Sequence, residues 1–455
     1  MHLQQYQRGS TIAAIASPPG NGAIAVVRIS GPEAISIAVK IFSGPVASYR
    51  SHTIHTGHIT AADGSVIDQV LLLVFRAPRS YTGEESIEIH CHGGSLITQK
   101  VLERILEAGG RPALPGEFSF QAFINGKLDL AQAEAVQLLI SSKNELARQS
   151  AAQQLEGTLS KRIEHFQQEL TRIAAILEAW IDFPEEGLEF ATIDETIGQL
   201  DTIRQKMRDL LHTFHDGRTI HEGMSLCLLG SPNVGKSSLM NALLGKNRAI
   251  VTDIPGTTRD SLEEDLRLGS MHFRLIDTAG ICSTLDPIEQ EGVRRSFAAM
   301  EQADLILLVL DASRPLSLFD RKLIGSLSQK QAILVWNKVD IALPNETIPW
   351  EPTVFLSAKE GQGIDLLKQA IDQLIWKNGP PSKEEVILSS SRHHQALKEA
   401  LVSCDEVING LKEGRSPEFI SFDMRSCLHH LGTIIGTNVS EDILSSIFSQ
   451  FCVGK

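Results

Sequence analysis

The chain has 455 residues, room for about three domains at the usual ~150 residues each. With 42% hydrophobic and 21% charged residues its composition is globular, and a net charge of −13 excludes a chain-wide electrostatic grip on nucleic acid, though not a local basic patch or a structured RNA substrate. Aromatic residues make up only 5%, so no stacking platform for single strands is advertised.

The six cysteines, Cys91, Cys227, Cys282, Cys404, Cys427 and Cys452, contain no Cys-x-x-Cys spacing. That speaks for reduced structural thiols rather than a zinc ribbon or a redox motif. No apolar run approaches the ~18 residues of a membrane span, and 11–16 is too short for a signal peptide. A cytoplasmic protein without membrane contact is expected.

Residues 11–16, 23–29, 54–59, 66–75 and 87–91 are short, rich in Val and Ile, and bounded by Gly, Pro and Asp, which predicts strands. The stretch 95–108 predicts an amphipathic helix capped by Ser95 and ended by Gly109-Gly110. Together these form an expected α+β domain over 1–119. From 120 to 216 apolar residues recur at helical spacing: Leu128, Ala131, Ala135, Leu138 and Leu139, then Ile163, Phe166, Leu170, Ile173 and Leu177. That pattern predicts a bundle of long helices, broken at 182–187. From 217 to 379 strands and helices alternate, the signature of a parallel sheet with crossovers, and 225–229, 273–276, 305–310, 332–336 and 354–356 are of buried-strand type. After 380 the chain reads as helical to 451. It is expected to pack with the earlier helices, making the α/β domain an insertion in a discontinuous helical domain, 120–216 and 380–455.

The strongest chemical signal is Gly230-Ser231-Pro232-Asn233-Val234-Gly235-Lys236-Ser237, placed between a buried strand and a helix over 238–244. The glycines let backbone N–H groups wrap phosphates, Lys236 reaches the β and γ phosphates, and Ser237 ligates Mg²⁺. Nucleotide contacts are expected from Asn233, Val234, Gly235, Lys236, Ser237 and Ser238. Asp277-Thr278-Ala279-Gly280 ends the next strand, where the Asp can hold the Mg²⁺ shell and the Gly N–H can meet the γ-phosphate. Asn337-Lys338-Val339-Asp340 ends another, and the Asp340 carboxylate can accept from the guanine ring N–H and exocyclic amine. Ser357-Ala358-Lys359 ends the strand after that, where backbone can meet the base carbonyl. In this order, each at a strand end, the tetrads describe a guanine nucleotide site and resemble the translation-factor class of P-loop GTPases.

Between the loop and Asp277 lies Thr252-Asp253-Ile254-Pro255-Gly256-Thr257-Thr258, a first switch from which a hydroxyl should close on Mg²⁺. Ile281 stands where a water-orienting Gln would sit, and a hydrophobic side chain cannot take that part. Glu289 and Glu291 are the local carboxylate candidates. The Asn233 side-chain carbonyl can ligate a monovalent cation that substitutes electrostatically for an arginine finger.

The whole chain resembles the MnmE (TrmE) family of tRNA-modifying GTPases. The resemblance is carried by Ser17-Pro18-Pro19-Gly20, Arg28-Ile29-Ser30-Gly31, Ser80-Tyr81-Thr82-Gly83-Glu84, Glu88-Ile89-His90-Cys91-His92-Gly93-Gly94, Pro115-Gly116-Glu117-Phe118, the run from Asn125 to Ala135, and the terminal Cys452-Val453-Gly454-Lys455. It implies a folate-binding-type N-terminal α+β domain that dimerises, a helical bundle domain, and an inserted Ras-like P-loop GTPase domain. It implies modification of the tRNA wobble uridine at carbon 5, as a homodimer and in a heterotetramer with the flavoprotein MnmG (GidA). A tetrahydrofolate derivative, 5,10-methylene or 5-formyl, would supply the one-carbon unit, and K⁺-stimulated pairing of G domains would drive GTP hydrolysis.

Residue by residue, the resemblance implies K⁺ on Asn233, Thr252, the Ile254 backbone and Thr257, and Mg²⁺ on Ser237 and Thr258. Glu289 would orient water, and folate would meet Arg28, Glu88 and Lys127 with Lys455 nearby. Cys452 matches a cysteine of the family's terminal motif and is a candidate nucleophile. Asn21 and Gln121 depart from the family pattern by standing where Arg is usual, which lowers positive charge at the expected anion site. His90 and His92 share a strand face, but no third ligand is evident for a metal. A ribosome-assembly regulatory GTPase is the alternative reading of the same G domain.

Overall fold

The computed structural model describes residues 9–182, 192–247, 265–276, 297–327, 330–376, 379, 382 and 385–454. The chain opens with β1 (Ile12–Ile15), β2 (Ile24–Ser30), α1 (Ala34–Ile41), β3 (Thr53–Thr60), β4 (Val66–Phe75), β5 (Ser86–His92), α2 (Ser95–Glu107), β6 (Arg111–Pro112) and α3 (Glu117–Ile124). Helices follow: α4 (Leu130–Ser141), α5 (Glu145–Leu155), α6 (Thr158–Asp182) and α7 (Ile193–His212). The α/β region holds α8 (Phe214–Glu222), β7 (Met224–Leu229), α9 (Lys236–Asn247), β8 (Asp265–Leu268), β9 (Met271–Ile276), β10 (Leu305–Asp311), α10 (Leu318–Ser326), β11 (Ala332–Asn337), β12 (Thr353–Phe355) and α11 (Ile364–Ile375). The chain closes with α12 (Ser391–Glu413), α13 (Pro417–Ile435) and α14 (Glu441–Phe448).

These elements form two compact units, one from 1–140, 152–209 and 395–455, the other from 141–151 and 210–394. The expected domain limits at 119/120 and 216/217 fall inside α3 and α8. Residues 141–151 cluster with the α/β unit because Asn144 Nδ2 donates to Ile220 O at 2.7 Å and Ala147 is buried in that unit's core.

In the first unit the sheet order is β3-β4-β5-β2-β1-β6, with β1–β5 pairing antiparallel and β6 parallel to β1. Side chains alternate faces along each strand. Ala25, Val27 and Ile29 of β2 and Ile87, Ile89 and Cys91 of β5 therefore join α1 and α2 in one core, and the residues between them point to the opposite face. The helices of this unit follow the same logic with a different period. On α6, Leu159, Ile163, Phe166, Leu170, Ile173 and Leu177 form one buried stripe. The stripe packs against α13, where Gln167 Nε2 reaches Leu428 O, while Arg204 and Arg208 of α7 pair with Asp405 of α12. At the chain's end Phe448 and Phe451 pack on Phe120, Leu130 and Ala133.

The second unit's sheet runs β12-β11-β10-β7-β9-β8. Every residue of β7, β10 and β11 is buried, as expected for parallel strands covered on both faces. Leu226, Leu307 and Val335 face α9 and α11, while Cys227, Leu308 and Leu334 face α10.

Three readings are corrected here. The sheet is mixed, because β8, absent from the sequence reading, pairs antiparallel on the edge. Ser95 is the first helical residue of α2, not its cap; the cap is Gly94, whose carbonyl accepts from Thr98 N at 3.0 Å and Thr98 Oγ1 at 2.9 Å. Helix α1 was also unread, its apolar run being too short to separate helix from strand by period.

Phe448 is fully buried and meets Phe120 edge-on at 5.4 Å. Phe448→Ala should lower stability by about 3–5 kcal/mol. Chemical denaturation followed by circular dichroism measures this, and a loss under about 1 kcal/mol would mean that the terminal helix is not part of the core.

Candidate functional site

The end of β7 delivers the chain into a loop that only particular residues can form. Gly230 has φ +144, and a Cβ there would lie 2.2 Å from Val309 O. Asn233 takes the left-handed region at φ 63, and Gly235 has φ +99. A Cβ at Gly235 would meet Asn337 Nδ2 at 2.2 Å, so glycine is required for the loop to pass that amide. Helix α9 then starts at Lys236 with no acidic residue in its first turn, leaving its N-terminal dipole uncompensated. Ser237 and Ser238 are exposed in that turn.

Lys236 Nζ donates to Gly230 O at 2.8 Å and to Ser231 O at 3.0 Å. Burial pushes its ammonium below the ordinary lysine value; Asp320 opposes that shift and Arg314 adds to it. Among the described residues the hydrogen bonds of this ammonium go to neutral carbonyls, and a cation so held beside a helix N-terminus is arranged to receive an anion.

Asn337, at the end of β11, is buried and bridges two segments. Its Nδ2 donates to Val234 O at 2.9 Å, and its Oδ1 accepts from Ala358 N at 2.9 Å. Lys338, at φ 67, donates to Asn233 O at 2.7 Å and to Asp311 Oδ2 at 2.6 Å. Burial alone would raise the Asp311 carboxyl, but the bonds from Lys338 and Ser313 hold it below its ordinary value. Ser357 is buried and its N donates to Gln362 O at 3.0 Å. Asp340 is exposed beyond this cluster, and Lys359 is exposed as well.

The fold therefore gathers 233–235, 337–338 and 357–358 at one end of the sheet. Thr252, Asp253, Ile254, Pro255, Gly256, Thr257, Thr258, Asp277, Thr278, Ala279, Gly280, Ile281, Glu289 and Glu291 lie outside the described residues. Two carboxylates of this region were missed from sequence. Asp311 sits at the end of a fully buried strand, just as Asn337 does, and that position was its signal. Asp320 closes the Ser317-x-x-Asp320 capping box of α10, a pattern legible in the sequence.

A second polar cluster lies in the first unit, on the sheet face opposite α1 and α2. Arg28 and Glu88 are register partners on β2 and β5, with Arg28 Nε and Nη2 each 2.9 Å from Glu88 Oε1. The guanidinium lies 5.6 Å from the ring centres of Tyr81 and Phe118, and its Nη1 reaches Gly454 O at 3.4 Å. Burial pushes the Tyr81 phenol up, against the Ser119 hydrogen bond and the Arg28 charge. His90 Nε2 is buried and has no hydrogen-bond partner among the described residues, lying 3.6 Å from Glu88 Oε2.

Gly454 itself needs a special backbone to reach this position. It has φ +96, and a Cβ would lie 2.6 Å from Ile15 O. Lys127 is exposed, its stem against Gly83. Cys452 is an exposed free thiol whose carbonyl accepts from Gly116 N at 3.4 Å. Asn21 Oδ1 accepts from Ser95 N at 3.4 Å, and Gln121 is buried, its Nε2 without a partner among the described residues. His92 Nδ1 sits 2.7 Å from Asp68 Oδ1. Among the described residues no three His, Cys, Asp or Glu side chains are grouped to hold a metal, and no helix is long and apolar enough to cross a membrane. Lys455 and Cys282 lie outside the described residues.

Residues 11–127 match the family described as "GTP-binding protein TrmE N-terminus", and 130–452 match "MnmE helical domain". The chain is 57% identical over 455 residues to a tRNA modification GTPase MnmE of Protochlamydia amoebophila, covering 99% of each chain. It is 46% identical over 451 residues to one of Chlamydia abortus, covering 98% of this chain and 100% of the other. Among solved structures, the G domain of the T. maritima FeoB iron transporter is 28% identical and matches 33% of this chain and 98% of its own, with a TM-score of 0.25.

Asn337→Ala would strand Val234 O and Ala358 N in a buried setting, at about 1–3 kcal/mol for each group. A fall in the melting temperature of the α/β unit is expected, read by calorimetry. An unchanged transition would mean that the bridge does not hold the loop.

Proposed function

The chain belongs to the MnmE (TrmE) family and is a GTP-hydrolysing enzyme of tRNA modification, and from that premise we propose how its two polar sites divide the work. The observation that carries the proposal is the gathering of Lys236, Asn337, Lys338 and Ala358 around one glycine loop. In this reading Lys236 leaves Gly230 O and Ser231 O for the β and γ phosphates. Asn337 and Lys338 keep the loop closed, while Asp340 accepts from the guanine edge and Ser357–Lys359 backbone meets the base carbonyl. Asp277–Gly280 and Thr252–Thr258 serve as the switches.

Water attacks the γ-phosphate in line, oriented by Glu289 because Ile281 cannot orient it. Ser237, exposed in the first turn of α9, fits a Mg²⁺ ligand together with Thr258. Asn233, exposed and left-handed in the loop, fits K⁺ together with Thr252, the Ile254 carbonyl and Thr257. These cations would neutralise charge that develops on the phosphates.

The donor set around Arg28 fits a folate. Glu88 can accept from paired N–H groups of a pterin-like ring, Tyr81 is partly open to a ligand, and His90 Nε2 has no hydrogen-bond partner among the described residues. Lys127 and Lys455 supply cations for the glutamate tail, and the neutral Asn21 and Gln121 weaken that tail's hold. A 5,10-methylene- or 5-formyl-tetrahydrofolate would supply the one-carbon unit. Cys452, exposed beside Gly454, is offered as the nucleophile of the uridine chemistry.

The protein would act in the cytoplasm on the wobble uridine of tRNA. It would work as a homodimer joined through 1–119, with the flavoprotein MnmG (GidA) in a heterotetramer. The helical domain, 120–216 and 380–455, would carry the G domain, 217–379. The two family matches take in the regions before and after the G domain as well as the G domain itself, and this supports tRNA modification over the ribosome-assembly alternative.

GTP turnover in KCl should exceed that in NaCl at equal ionic strength by about 10-fold or more, the scale of one well-placed charge in a site, and Asn233→Ala should abolish the difference. Equal rates in the two salts would defeat the cation assignment. Arg28→Ala and Glu88→Gln should each weaken folate binding by about 10-fold in calorimetric titration. Cys452→Ser should keep folate binding and GTPase activity yet lose tRNA modification, and unaltered modification would remove Cys452 from the mechanism.

A further inference from the structure

Ser231, the second residue of the glycine loop, is buried and held from two sides. Its carbonyl accepts from Lys236 Nζ at 3.0 Å, and its hydroxyl donates to Asp320 Oδ1 at 2.6 Å. Asp320 is itself only 3% exposed, at the third position of α10. Its other oxygen, Oδ2, completes the capping box, accepting from Ser317 N at 3.0 Å and Ser317 Oγ at 2.7 Å. A capping box needs only that second oxygen. The first is aimed past the helix at the loop, and Ser317 Oγ adds a 3.1 Å contact to the same Ser231 hydroxyl.

We infer that Asp320 is a positioning residue for nucleotide binding, holding the glycine loop in its binding shape through Ser231. The inference rests on reading 230–238 as the phosphate loop. The Lys236 bonds to Gly230 O and Ser231 O are lost when that ammonium turns to a phosphate, whereas the Ser231–Asp320 bond involves neither Lys236 nor the ligand. It therefore remains to keep the loop from relaxing in both the empty and the filled site. Charge-assisted and buried, it belongs to the stronger class of hydrogen bonds. Arg314 stands on the same side, its Nη2 on Pro232 O at 3.2 Å, and its charge helps keep Asp320 ionised. A loop held in this way favours ground state and transition state alike, so the effect of losing it falls on KM and Kd rather than on kcat.

The test uses the full chain and titrates a fluorescent GDP and a fluorescent GTP analogue, with steady-state GTP turnover alongside. Ser231→Ala leaves the Ser317–Asp320 cap of α10 in place and so remains informative if Asp320→Asn folds poorly. Both variants should bind both nucleotides about 10-fold more weakly, with the loss in KM rather than kcat. The double variant should be no weaker than the worse single variant, because Ser231→Ala already removes the bond through which Asp320 acts. Wild-type affinity in Ser231→Ala, or losses that add in the double variant, would overturn the inference. Lys236→Ala separates the two levels. If it binds GTP as wild type does, the phosphate-loop reading itself fails; if it loses GTP while Ser231→Ala keeps it, only the role of Asp320 fails.

Discussion

The nucleotide end of the second unit depends on the side-chain amide of Asn337. Parallel strands end together, and the loops that follow them must find hydrogen-bond partners outside the ladder. An amide offers one donor group and one acceptor at a single position, and Asn337 uses them on two different loops, Val234 O and Ala358 N. An aspartate could not donate and a leucine could do neither. The demand for glycine at 235 follows from the same contact, since the loop passes so close to the amide that a Cβ has no room. Lys338 repeats the clamp one residue on, from a left-handed backbone, with Asp311 beneath it.

In a chain with a net charge of −13 the charges around the glycine loop are sorted by depth. The loop carries the Lys236 ammonium and leads into the N-terminus of α9, while the acidic groups are buried and bonded: Asp311 to Lys338 and Ser313, and Asp320 to Ser231 and Ser317. Each carboxylate is buried, which taken alone would raise its pKa, and each is held below its ordinary value by the hydrogen bonds it accepts. Both groups therefore stay ionised to lower pH than an ordinary aspartate, and their contribution to stability is lost only as pH falls through those depressed values.

The first unit solves a different problem with a sheet. One face is filled by α1 and α2, and strand alternation leaves the other to the Arg28–Glu88 cluster. Antiparallel register sets Arg28 against Glu88, and Gly454 comes back beside Arg28 because it can approach Ile15 O as no residue with a side chain could. The Phe448–Phe451 cluster anchors that return in the same unit's core.

Much of this was present in one dimension. Buried strands announce themselves by unbroken apolar runs, and the glycine loop and the two later strand-end motifs declare guanine chemistry by residue type and order. The short terms were lost: α1, β8 and the cap of α2 each span too few residues for a period to emerge, and burial rather than propensity decides them. At the site, Lys236, Asn337 and Asp340 could be named from motifs, whereas Asp311 and Asp320 could not be linked to the loop. Nothing in their sequence neighbourhood records which residue a strand end or a helix cap will face. The sequence by itself determined the family, the element order and the chemistry of the loop, because these follow from local pattern and residue type. Tertiary structure alone decided which carboxylates support the loop and that Gly454 sits beside Arg28, because such pairs are separated by 89 and 426 positions and meet only when sheets and helices pack.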